Sequence, residues 1–268
     1  MFKQHINSTD QSSHGLSIDI NCDMGEGMLN DASLMPFISS ANIACGYHAG
    51  NEDIIKRTIE LALENNVAIG AHPSYNDREN FGRLSQSIAL VELAELISDQ
   101  ISLFEKITNQ MGCKIHHVKL HGALYNDCAK DALSSKIVAQ TIQAIDPSIM
   151  LYGLSGSDTI KEAKAIGLQT VQEVFADRTY QSNGQLTPRY LDHALITDPI
   201  ESAKQVLSMV LDQELKTDDG TMIAVNAETI CILPSQRGQI KQSLLRLGWP
   251  AEDFAGYVDG QAHEINLQ

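Results

Sequence analysis

The chain predicts a parallel α/β barrel, and three observations carry that prediction. Segments that read as strands alternate with segments that read as helices seven times without a break. That order demands a parallel sheet, and seven or eight such units close most easily as a barrel. Two neighbouring strands, Ile38 to Cys45 and Val67 to Ala71, run straight into His48 and His72, so polar side chains gather at the carboxyl ends of strands, where such folds bind ligands. The turn after the first strand, Asp23-Met-Gly-Glu-Gly27, has too few glycines at the wrong spacing for the dinucleotide fingerprint of an open doubly wound sheet.

Residues 1 to 15 read as a loose polar tail and 16 to 268 as one barrel domain, a length such barrels commonly reach. Leu16 to Cys22 alternates as strand one. A short helix over Leu34 to Phe37 precedes strand two, Ile38 to Cys45. Asn51 caps the next helix, with Glu52 and Asp53 in its first turn and Ile55, Ile59, Ala62 and Leu63 on its apolar face. Strand three, Val67 to Ala71, opens a loop from His72 to Gln86 that is too long for a plain connection. Ser87 is expected to cap a helix with Leu90, Leu93, Ile97, Ile101 and Phe104 on one stripe, ended by Gly112. Lys114 to Leu120 is strand four and delivers His121, and Asp131 then starts a helix. Ile149 to Gly153 is strand five, Ser157 to Ala165 a helix, and Thr170 to Phe175 strand six. Asp198-Pro199 opens another helix, Met222 to Leu233 contains strand seven, and Ile240 to Leu247 is the last helix.

Composition narrows the function classes. A net charge of −15 argues against nucleic acid as a partner, because phosphate binding needs an excess of Lys and Arg. The five cysteines are scattered and never spaced as C-x-x-C, which suits a reducing cytoplasm better than a disulfide frame or a structural zinc. The start of the chain has no apolar run and no window approaches a membrane span, so neither a signal peptide nor a membrane is expected.

In a barrel of this order Asp23, Glu26, His48, His72, His121, Glu173, Asp177 and Arg178 share one rim. Carboxylates and imidazoles together act as general base and acid, or hold a divalent metal that activates water. Asp23, His48, His72, His121 and Asp177 are the catalytic candidates, and His48, His72 and Asp23 the candidate metal ligands. No tight ligand spacing such as H-E-x-x-H supports the metal. Asn21 points inward on strand one, and Lys119 shares the side of strand four that carries His121. A small-molecule substrate would be held by Asn21, Glu26, Lys119 and Glu173, with Arg78, Arg83 and Arg178 as further cations for a carboxylate. Asp177-Arg178 could equally be a salt bridge that shapes the rim. His116 and His117 sit within strand four as packing residues, and Cys45 reads as a small core residue.

The same residues carry a family likeness. Ile18-Asp-Ile-Asn-Cys-Asp-Met-Gly-Glu-Gly27, Ser40-Ala-Asn-Ile-Ala-Cys-Gly-Tyr-His-Ala-Gly50, Gly70-Ala-His-Pro-Ser-Tyr75, His121-Gly-Ala-Leu-Tyr-Asn126 and Glu173-Val-Phe-Ala-Asp-Arg178 resemble the LamB/YcsF family, the group of 5-oxoprolinase A subunits. The resemblance runs from about residue 17 to about residue 247. It implies a seven-stranded barrel like that of the glycoside hydrolase/deacetylase superfamily. It also implies ATP-dependent opening of the 5-oxoproline lactam to L-glutamate, with ATP as co-substrate and the B and C subunits as partners. The chain has no G-x-x-x-x-G-K-[ST] phosphate loop, so ATP would be handled in another mode or by those partners. Two positions depart from the family pattern. Lys119-Leu-His-Gly122 stands where the family reads Lys-Pro-His-Gly. Ile230-Cys-Ile-Leu-Pro-Ser235 stands where it reads Ile-Cys-Val-His-Gly-Asp, with Leu233 in the place of the histidine. Two alternatives stay open: a stand-alone metal-dependent amide or carbohydrate hydrolase, as the barrel ancestry suggests, and a non-catalytic binding subunit, left by loss of the strand-seven histidine.

Overall fold

The computed structural model describes residues 18–28, 30–232, 243, 256–258 and 261–263. The expected polar tail, the strand-seven end at Leu233-Pro234-Ser235 and, apart from Ser243, the last helix over 240–247 lie outside the described residues. No helix among the described residues is long and apolar enough to cross a membrane.

Seven parallel strands close into a barrel. Six of them are β1 (Asp19–Met24), β2 (Ser40–Ala44), β3 (Ala68–His72), β4 (His117–Lys119), β5 (Met150–Leu154) and β6 (Thr170–Phe175). Two hairpin strands outside the barrel follow, β7 (Glu214–Lys216) and β8 (Met222–Ala224), and β9 (Thr229–Cys231) is the seventh barrel strand. Closure is made at Thr229, which pairs with Glu173 on one side and Asp19 on the other. Helices α2 (Glu52–Glu64), α3 (Leu90–Gln110), α5 (Ala132–Ile145) and α6 (Asp158–Ala165) pack each against the one before it around the strands. Local chemistry sets their starts. Asn51 Oδ1 accepts from Ile54 N at 2.9 Å and Asp131 Oδ2 from Ser134 N at 3.0 Å. Asp198 caps α7 (Pro199–Leu207) through Ile200 N at 2.7 Å. Each accepts one of the amide protons a helix start leaves unbonded.

The structure departs from the sequence reading at several elements. Helix α3 begins at Leu90 rather than under a Ser87 cap, because Glu92 reaches back to accept from Ala89 N at 2.8 Å. The short helix before β2 is a turn of α-helix, α1 (Asp31–Leu34), followed by a 3₁₀ turn over Met35–Phe37. Helix α4 (Gly122–Cys128) had no periodic signal because it is only seven residues long. The segment expected to hold strand seven divides in two. Its first part is β8, which pairs antiparallel with β7 outside the barrel, and only Thr229–Cys231 enters it. On α2, Thr58 is buried where Leu63, read as apolar face, is exposed.

The barrel interior is polar in layers, following the two-residue period of each strand. In the lowest layer Asp19 accepts from Ser39, Ser40 and Thr229. Above it Asn42 Nδ2 donates to Asn21 Oδ1 and Asp23 Oδ1, each at 2.9 Å, while its Oδ1 accepts from His117 Nε2 at 2.8 Å. The His117 ring crosses the lumen and stacks on Tyr152 at 4.0 Å between centroids, directly over Gly70. Burial, with His116 next, holds His117 well below its usual range, so it is a neutral strut. A methyl group on Gly70 would run into that ring. Gly70→Ala should therefore cost about 1–3 kcal/mol of unfolding free energy, measured as a lowered urea midpoint. An unchanged midpoint would mean the ring moves aside freely.

Candidate active site

The carboxyl end of the barrel opens into a cleft of about 750 Å³. At its floor is Lys119, 2% exposed, whose Nζ lies 2.6 Å from Glu173 Oε1 and 3.1 Å from Asp23 Oδ1. The ammonium also donates to Asn21 Oδ1 at 3.0 Å and to Cys231 Sγ at 3.3 Å, and it sits 5.3 Å from the Phe175 ring centre. Burial alone would strip its proton, but Asp23 and then Cys231 and Glu173 outweigh it and push its pKa well above the usual lysine range. Asp23 answers in kind. Burial would raise its carboxyl, yet His72 and Lys119 hold it well below the ordinary value.

Above the lysine, His72 and His121 face each other. His72 Nδ1 donates to Lys119 O at 2.7 Å and His121 Nε2 to Phe81 O at 2.9 Å, since carbonyl oxygens only accept. The remaining nitrogens, His72 Nε2 and His121 Nδ1, lie 2.9 Å apart, a contact that needs one proton between them. Asp23 Oδ1 stands 3.3 Å from the first and Glu26 Oε1 3.5 Å from the second. Burial, then the charge of His72, keeps His121 well below its usual range. His48 stacks flat on His121 at 3.7 Å and bonds Glu26 Oε1 through Nε2 at 3.2 Å. Burial, with His72 second, pushes His48 down to about 3. Glu26 moves the other way: burial, then the Asp23 charge, raises it to about 7.

Local backbone explains why these groups meet. Glu26 stands between Gly25 and Gly27, both left-handed with φ of 69° and 84°, so the turn folds its carboxyl back over the rim. Phe81 is also left-handed at φ 56°, a costly conformation for an aromatic residue, and it aims its carbonyl at His121. Gln100 on α3 brackets Ser74 through N at 2.9 Å and O at 2.8 Å, and Pro73 O accepts from His121 N at 2.8 Å.

Asp23, Glu26, His72, Lys119, His121 and Arg178 line the cleft. Asn21, His48 and Glu173 lie behind that lining as buried supports. Asp177 is buried behind the rim and outside the cleft wall, its carbonyl accepting from Ile196 N at 2.9 Å. Arg178 spends its guanidinium on Thr187 O at 2.6 Å and Ala194 O at 3.2 Å, tying down the following loop. Arg78 likewise bonds Gly46 O and Gly50 O and pins the turn beneath His48. The sequence reading missed Asn42, Gln100, the Phe81 carbonyl and Arg189. Of these only Asn42 had a signal, as a polar residue at an inward position of an apolar strand.

Comparison with known proteins settles the family. The LamB/YcsF family model matches residues 18–242. The chain belongs to the LamB/YcsF family. It is 46% identical over 221 residues to the 5-oxoprolinase A subunit of Bordetella pertussis, covering 81% of this chain and 88% of that one. The corresponding 5-oxoprolinase A subunit of Geobacillus thermodenitrificans is 44% identical over 220 residues, 81% and 86% of the two chains. The solved lactam utilization protein of Thermus thermophilus superposes with a TM-score of 0.80 at 35% identity, covering 87% of this chain and 97% of its own.

In this LamB/YcsF barrel the question of a metal is one of geometry. Glu26, His48, His72 and His121 offer ligand atoms that all lie within 4.8 Å of one another. An ion must lie close to the plane of each imidazole that binds it, along the nitrogen lone pair. The His48 and His121 planes are 3° from parallel with centroids 3.7 Å apart, so no point lies in both. The set His48, His72 and Asp23 would need His72 Nε2 to leave His121. One ion therefore cannot take His48 and His121 together, and a set of Glu26, His72 and His121 would hold it only in place of the proton between the two rings.

Removing the Lys119 charge should leave Asp23 and Glu173 uncompensated. We expect Lys119→Met to lose about 3–5 kcal/mol of stability at pH 7 in denaturant titrations. Asp23 has a depressed folded pKa, so its stabilising contribution is present above the unfolded value and lost as pH falls through the folded one. The gap between variant and parent should accordingly shrink below about pH 4. A gap independent of pH would show that the loss is one of packing.

Proposed function

We propose that this chain is the A subunit of an ATP-dependent 5-oxoprolinase and carries out the ring-opening chemistry. The observation that carries the reading is one cleft in which a near-neutral carboxyl, Glu26, adjoins a proton-sharing histidine pair over a buried cation. The names of the Bordetella, Geobacillus and Thermus relatives support the substrate class.

A five-membered lactam is a resonance-stabilised amide, and water alone opens it slowly. Transfer of the ATP γ-phosphoryl group to the lactam oxygen forms an O–P bond, releases ADP and leaves an activated ring carbon. The sequence has no G-x-x-x-x-G-K-[ST] phosphate loop, so that transfer uses another mode of nucleotide binding or the partner subunits B and C. Glu26 then takes a proton from a water as its oxygen bonds that carbon. Glu26, 3.5 Å from His121 Nδ1, then returns that proton to the ring nitrogen as the carbon–nitrogen bond breaks. Cleavage of the carbon–nitrogen bond yields an acyl phosphate, and a second water releases phosphate and L-glutamate. Lys119 and the ionised Asp23 hold the field of the site constant while these protons move.

The test is glutamate release from 5-oxoproline and ATP with authentic partner subunits. The rate should rise with pH through about 7, because the base works only when ionised. Glu26→Gln should remove that limb and lower kcat about 10²- to 10⁴-fold, with the melting temperature retained. No turnover with the partners present would overturn the reading. Turnover by the chain alone without ATP, abolished by a chelator, would favour a metal-dependent hydrolase.

A further inference from the structure

Substrate binding needs a cation that the protein has not already used, and most cations near this site are used. Lys119 is shared among Asp23, Glu173, Asn21 and Cys231. Arg178 is bonded to two loop carbonyls and Arg78 to two others. Lys130, at the cleft edge, is paired with Asp127 at 3.0 Å. Two arginines remain that line the cleft, Arg83 from the long loop after β3 and Arg189 from the loop after β6. The charge of Arg189 repels that of Arg83 and also bears on Arg178. Among the described residues neither of them has an ion pair with a carboxylate. Arg83 is held in place by its seat over the Phe81 ring, 5.0 Å from the centroid. Phe81 is the residue whose strained backbone bonds His121, so the cation is tied to the histidine pair by a single residue.

Two guanidinium groups line one opening, and on Arg83 the repulsion from Arg189 is larger than the attraction of either Glu26 or Asp23 alone, so a bound anion would relieve it. We infer that Arg83 and Arg189 form an oxyanion clamp over the active-site cleft. The clamp deepens the proposed function and rests on it for the identity of its ligand. The oxyanion is either the carboxylate of 5-oxoproline or the phosphoryl group placed on its ring. Both offer the paired oxygens that a guanidinium fork matches. Clamping that end leaves the lactam carbon to face Glu26 and the histidine pair beneath.

Calorimetric binding to the whole chain separates the outcomes without requiring turnover. The probes are 5-oxoproline, 2-pyrrolidinone (the same ring without the carboxylate) and inorganic phosphate. The proteins are wild type, Arg83→Ala, Arg189→Ala, the double variant, and Arg83→Lys as a charge-keeping control. We expect 5-oxoproline to bind the wild type and 2-pyrrolidinone not to bind. Each alanine should weaken 5-oxoproline about tenfold, and the pair about a hundredfold, as loss of charge-assisted hydrogen bonds predicts. Arg83→Lys should fall between, since it keeps the charge and loses the fork. Wild-type affinity for 5-oxoproline in the double variant would overturn the clamp while leaving the proposed function standing. Phosphate binding that both arginines support, without any 5-oxoproline binding, would keep the clamp, assign it to the phosphoryl group and overturn the lactam reading of the free chain. Binding of neither anion would overturn the clamp.

Discussion

A buried ammonium group organises this protein. Lys119 lies at the centre of the barrel mouth with almost no solvent exposure, and such a charge is tolerated only where it is fully compensated. Asp23 and Glu173 supply the compensation from β1 and β6, and Asn21 and Cys231 complete a shell of four acceptors around its three protons. Its main-chain carbonyl bonds His72, so one residue fixes both the field of the site and the tautomer of that imidazole. Side chains from β1, β6 and β9 thus converge on one residue of β4.

The layers beneath it explain why so polar an interior is stable. Buried polar groups on the inward faces of β1 and β2 find partners on neighbouring strands, as Asn42 does with Asn21, Asp23 and His117. The scaffold is therefore rigid where it meets the site. The rim carries the left-handed Phe81, the turn that holds Glu26, and the segments tied down by Arg78 and Arg178. Two of the arginines expected to greet a substrate turn out to be the fastenings of those loops.

Much of this was legible beforehand. Strand six was read at its observed limits because Thr170 to Phe175 is bounded by clear turn chemistry, and Asn51, Asp131 and Asp198 cap helices as short-range rules require. Strand seven was legible only as a broad segment, since a three-residue barrel strand and a three-residue hairpin strand carry the same short apolar pattern. Helix α4 escaped because periodicity needs more than two turns to show. Among site residues, the inward positions of Asp23, Lys119 and His121 followed from the two-residue strand period and from their place at strand ends.

Sequence by itself thus determined the barrel, the strands that carry polar ends, and the family to which the five motifs point. These rest on periodicity and on local turn and cap chemistry, which act over a few residues. Only the tertiary structure decided which polar groups are occupied and which are free. That Arg178 serves a loop while Arg83 faces the cleft, that His48 lies flat against His121, and that Glu26 is shifted to near neutrality all depend on contacts between residues far apart in the chain. Charge and burial are properties of the assembled site, and no single strand or loop contains them.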